Sequence, residues 1–153
     1  MKNTNWLKES LLTGNYASIT SALALAFRSK AENGSYFSAI NAISHWLWKA
    51  EAYQHDEPDI AHTLIGYGIH HASSTFWALA YEKLRERHQG KTDPKFLADA
   101  FKVAALACFV DYKLTPQRLQ PGYEKRLSTL SLVGVYTAFA FGLAGRQLIK
   151  TKK

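Results

Sequence analysis

Six residues carry side chains suited to chemistry at close range: His45, His62, His70, His71, Asp111 and Arg118. Three of the histidines fall in one stretch, Ile60 to Tyr81, which runs 22 residues without Asp, Glu, Lys or Arg. On a helix, His62 and His70 lie about two turns apart on one side, and His71 points about 100° away from His70. Metal ligands are usually one turn apart or gathered from several helices, so these three alone do not make a site. A His45/His70 pair would bind haem or a metal if their helices met. A ferritin-like di-metal centre needs Glu-x-x-His pairs, and the chain has none. The plainer role for these histidines is hydrogen bonding between helices.

Asp111 follows the apolar run Ala104 to Val110. A carboxylate in a membrane segment is costly and usually faces a partner or a wet path. Partners expected for it are a histidine of the 60–81 stretch, Arg118 or Arg126. The alternative is a solvated Asp at a helix end, balanced by Lys113. Ser73 and Ser74 stand within a turn of His70 and His71, but no G-x-S-x-G elbow accompanies them. Gly66-Tyr67-Gly68 sits inside a helical pattern with no strand before it, and no P-loop or dinucleotide fingerprint occurs. No catalytic residue, metal site or cofactor is expected, and an enzyme is the less favoured class.

Four segments must position these groups. Ser10–Phe27 has 18 residues without charge, Ile60–Tyr81 has 22, and Leu127–Gly145 has 19. The remaining one, about Phe96–Leu114, is interrupted by Asp99, Lys102, Asp111 and Lys113. A helix of about 20 apolar residues can span a bilayer. None of the four alternates as a strand does. A further stripe, Tyr36, Ile40, Ile43, Leu47 and Ala50, flanked by Trp46 and Trp48, predicts an amphipathic helix lying at an interface. Breakers separate the segments: Glu32 to Ser35, Arg87 to Pro94 with Asp93 as cap and Pro94 at the first turn, Thr115-Pro116, and Pro121-Gly122. The fold expected is an all-α four-helix bundle of transmembrane type with that extra amphipathic helix. It forms one domain, 1–153, with helices at about 10–28, 36–50, 60–84, 94–114 and 123–149.

Rows of small residues predict the seams. Gly14, Ser18, Ala22 and Ala26 recur every four residues, as do Gly66, His70, Ser74 and Ala78, and Gly134, Ala138 and Gly142. Small residues let helix backbones approach where no hydrophobic effect joins them.

The net charge of +7 is compatible with nucleic acid, anionic lipid or cytoplasmic loops. The cations gather at the ends of apolar segments rather than on one aromatic-rich face, which argues against nucleic acid. The mean hydropathy of −0.21 is low for a membrane protein. Cys108, alone of its kind, excludes an intrachain disulfide and reads as a small buried hydrophobe. The N-terminus reads as a retained first helix rather than a cleaved signal, given Glu9, Asn15 and Phe27-Arg28. With four spans, 12 Lys and Arg fall on the side of the termini and seven on the other. That excess places both termini in the cytoplasm.

The runs Asn41 to Trp48 (NAISHWLW), His62 to Tyr67 (HTLIGY), His70 to Ser73 (HHAS) and Phe76-Trp77-Ala78 resemble a family of small uncharacterised bacterial membrane proteins. Val110-Asp111-Tyr112, Pro116 to Leu119 and Pro121 to Leu127 continue the likeness, which spans most of the chain after the first ten residues. The resemblance implies four membrane helices in a bacterial inner membrane and brings no activity. The function expected is that of a structural, accessory or small-transport component, with the bilayer and a membrane protein or second copy as partners. Two alternatives stand beside it: a soluble helical bundle acting through protein contacts, and a haem- or metal-binding membrane subunit.

Overall fold

The three charge-free runs and the interrupted third segment become long helices in the computed structural model, which describes residues 6–86 and 95–150. Helix α1 spans Trp6–Asn33, α4 Ile65–Glu86, α5 Lys95–Phe109 and α6 Thr129–Lys150. Two short helices, α2 (Ser38–Ile43) and α3 (His45–Trp48), lie between α1 and α4. All assigned elements among the described residues are helical. The expected turn from Arg87 to Pro94, with its Asp93 cap, lies outside the described residues.

Helix α1 packs on both α4 and α6, and α5 closes the other side of both. Gly14 meets α4 so tightly that a Cβ there would stand 2.7 Å from Thr75 Oγ1. Gly142 meets α1 in the same manner, its missing Cβ filled by Thr20 and the backbone at Ala17. Thr20 Oγ1 also donates to the Ala138 carbonyl at 3.0 Å. Phe101 of α5 meets Phe141 of α6 edge to face at 5.5 Å. The core between the four is largely alanine (Ala17, Ala78, Ala100, Ala104, Ala107, Ala140, Ala144) with Tyr81, Phe139 and Leu143. Gly134, expected in a seam, instead faces outward with open space where a Cβ would stand.

Helix α1 inverts the usual pattern of a water-soluble helix. Ser10, Thr13, Ser18, Ser21 and Ser29 are buried, while Leu7, Leu11, Ile19, Leu23 and Phe27 are exposed. The buried hydroxyls are satisfied within the helix or across it. Ser10 donates to the Trp6 carbonyl at 2.7 Å and Ser21 to that of Ala17 at 2.7 Å. Large apolar side chains are exposed on the other long helices too, among them Phe76, Leu106, Phe109, Leu130, Val133 and Phe141.

Of the four segments expected to cross a bilayer, one helix, Thr129–Ile149, is long and apolar enough to do so. Serines, threonines and histidines lower the apolarity of α1 and α4, and the charges of α5 shorten its apolar run. Only 33% of the apolar window of α6 is buried, which separates it from an ordinary core helix.

The amphipathic helix expected at 36–50 is not continuous. It breaks at Ser44 and ends at Lys49, whose φ of 55° lies in the left-handed region. A 3-10 segment, Lys49–Gln54, follows. The last helix starts at Thr129 rather than near 123, because Gly122 (φ 91°) and a 3-10 turn at Tyr123–Lys125 precede it. Together, residues 34–64 and 110–128 form a cap over one end of the bundle. Asn41 organises it, donating to the carbonyls of His55 (3.0 Å) and Glu57 (2.9 Å) and accepting from Thr63 (2.7 Å).

Candidate functional site

A cavity lies where the cap meets the bundle, with about 70 Å³ of room for the centres of water-sized molecules. Each long helix supplies part of its wall: Ser21 from α1, His70, Ser74 and Trp77 from α4, Ala107 from α5, and Tyr136 from α6. Asp111 lines it from the π-helical turn Val110–Leu114 that ends the third segment, and Trp46 and Tyr123 come from the cap. The π turn follows α5 directly, and the extra residue in each of its turns rotates Asp111 relative to a continuous α-helix.

Asp111 and His70 share this space, but the carboxylate is bonded to a residue the sequence reading did not single out. Tyr136 donates to Asp111 Oδ2 at 2.6 Å, and Tyr123 donates in turn to the Tyr136 hydroxyl at 3.2 Å. The expected pairing of Asp111 with a histidine or arginine is therefore replaced by a tyrosine relay. Arg118 lies exposed on the 3-10 turn Gln117–Leu119, and Arg126 points into the cap. Opposite the relay, His70 Nε2 stands 2.9 Å from Ser21 Oγ. One turn away on α1, Ser18 Oγ lies 2.8 Å from His71 Nδ1. Both imidazoles thus bridge α1 and α4 through serines of α1, of which Ser18 belongs to the small-residue row. Gly66, in the row of His70 and Ser74, lets the Ile40 carbonyl of α2 come within the space of a Cβ.

His45 sits apart. Its Nδ1 lies 2.9 Å from the Ala42 carbonyl, its ring stacks on Tyr53, and Gly122 presses against it. It does not line the cavity, so His45 and His70 do not converge on a common ligand position. His62 goes elsewhere again, to Asp59 and to His55, a histidine not among the expected candidates. The signal that marks this pair is the spacing His-x-x-x-Asp-x-x-His from 55 to 62.

The cavity brings together a carboxylate, five hydroxyls (Ser21, Ser73, Ser74, Tyr123, Tyr136), an imidazole and two indoles. Indole faces and a carboxylate are the groups that hold a small cation or amine, and the hydroxyls add orientation. No family model, curated protein or solved structure matches the chain.

Proposed function

We propose that this chain is an integral membrane protein, a structural, accessory or small-transport component whose bundle faces lipid and whose capped cavity receives a small polar or cationic solute. The observation that carries the reading is the inversion of α1, with hydroxyls inside and Leu7, Leu11, Ile19, Leu23 and Phe27 outside. In water such a face costs free energy at every residue; in lipid it is the ordinary exterior. The charge-free centres of α1, α4 and α6 support the same setting. The distribution of Lys and Arg supports cytoplasmic termini.

Washing the membranes of expressing cells with alkaline carbonate tests this. The chain stays in the pellet and leaves only with detergent. Recovery as a monodisperse species without detergent overturns the proposal. That result favours a second reading, a water-soluble bundle acting through protein contacts. The observation behind that alternative is that, among the described residues, a single helix meets the length and apolarity of a span.

A further inference from the structure

We propose that His55, Asp59 and His62 form a binding site for a divalent transition metal at the entry to α4. Their ligand atoms all lie within 4.8 Å of one another. The division of labour on Asp59 suits it. Oδ1 accepts the His62 backbone N–H at 2.5 Å, capping the π turn Ile60–Leu64, while Oδ2 faces both imidazoles. It lies 2.9 Å from His62 Nδ1 and 2.8 Å from His55 Nε2.

The two contacts differ in kind. The one to His62 has hydrogen-bond geometry, whereas His55 Nε2 is buried, close and off the line that a hydrogen bond requires. It sets an imidazole nitrogen against a carboxylate oxygen at short range, an arrangement that a cation between them stabilises. Metal bonds of about 2.0–2.1 Å to nitrogen and oxygen place neighbouring ligand atoms about 2.9–3.4 Å apart, so the two nitrogen–oxygen edges here are nearly of coordination length.

One adjustment is needed. The two rings stack, with centroids 3.9 Å apart and planes 18° apart, and must splay for both lone pairs to converge. His55 is the ring that moves. It belongs to a non-helical run and its side chain is part exposed, while His62 is fixed in the π turn and buried. Two imidazoles and one carboxylate oxygen suit Zn²⁺ and related ions, and the exposure of Asp59 leaves a further position open to water or a small ligand. The site stands apart from the cavity and is independent of whether the bundle lies in a bilayer.

The test uses the full chain, free of any affinity tag and stripped with a chelator. It is titrated with Zn²⁺ by calorimetry and with Co²⁺ by visible absorption. One equivalent of Zn²⁺ is expected, and Zn²⁺ displaces the Co²⁺ spectrum. His55→Ala and Asp59→Asn each weaken Zn²⁺ binding by more than about 100-fold, beyond the 10- to 100-fold typical of outer-shell changes. Asn still caps a helix start, so Asp59→Asn separates ligation from folding. Circular dichroism verifies both variants, and His55→Gln replaces alanine if the latter does not fold. His71→Gln leaves binding unchanged. Absence of saturable binding overturns the proposal, and so does equal binding by the parent, His55→Ala and Asp59→Asn.

Discussion

Arg126 and Asp56 stand 70 residues apart in the chain and 2.5 Å apart in the fold. The same guanidinium donates to the Tyr53 carbonyl at 2.5 Å, and Asn33 donates to the Arg126 carbonyl at 2.7 Å. One residue therefore ties the end of α1 and both strips of the cap together. Hydrogen bonds to a charged group contribute about 1.5–3 kcal/mol, so Arg126→Ala should lower stability by about 2 kcal/mol. Chemical unfolding checks this. Arg126→Lys should recover only part, because an ammonium lacks the planar fork.

Gly66 and Gly68 make a matched pair for testing the seam. A Cβ on Gly66 would collide with the backbone carbonyl of Ile40, while one on Gly68 meets nothing within 4 Å. Gly66→Ala should cost about 1–3 kcal/mol as overpacking against rigid backbone. Gly68→Ala should be neutral or stabilising by up to about 1 kcal/mol, through the unfolded chain. Thermal melts of the two variants side by side give the comparison.

The tyrosine relay predicts coupling. Tyr136→Phe leaves Asp111 Oδ2 without its donor and should cost about 1–3 kcal/mol. With Asp111→Asn it forms a double-mutant cycle, for which a coupling of at least about 0.5 kcal/mol is expected of residues in contact. Additive effects would show that the hydroxyl and the carboxylate do not act together.

Acid should weaken the junction of α1 and α6. The Ser131 hydroxyl, then the Ser128 backbone N–H, with the Ser128 hydroxyl and Arg28, hold the Glu32 carboxyl down at about 2. A carboxyl depressed on folding stabilises the fold above its unfolded value of 4.5, and that contribution is lost as pH falls from there toward 2. Glu32→Gln should therefore flatten the acid limb of a stability–pH curve and lower stability at neutral pH. An unchanged acid limb in the variant would rule this out.

Leu23, at 53% exposure, discriminates the two settings of the bundle. Facing lipid at mid-helix, Leu23→Lys should cost about 2.5–3.5 kcal/mol of insertion free energy and reduce the membrane-inserted fraction. Facing water it should stay within about 0.5 kcal/mol of the parent. A glycosylation-mapping insertion assay reads the difference.

The long helices were legible because charge-free runs bounded by Gly, Pro and Asn leave few other options. Gly14, Gly66 and Gly142 were legible as seam residues because only close approach makes a row of small side chains useful. The break at Ser44 was not, since the stripe from Tyr36 to Ala50 runs through it unbroken and through Lys49, the residue whose backbone is left-handed. Tyr136 escaped notice because a search for the partner of a carboxylate looks first for cations. His55 is not legible from helical periodicity, because it precedes the helix that carries the pattern and only the cap brings it back over His62.

The hydroxyls of α1 have one further consequence. Ser10, Thr20 and Ser21 each bond a carbonyl three or four residues earlier in their own helix. These side chains thus hold an acceptor within their own helix, besides the contacts that Thr20 makes to the Ala138 carbonyl and Ser21 to His70. If the bundle lies in a bilayer as proposed, such a rod enters it with these three hydroxyls already bonded, and packing then exchanges lipid for α4 and α6 along that face. On the membrane reading proposed above, insertion of α1 and its packing against α4 and α6 are separable events.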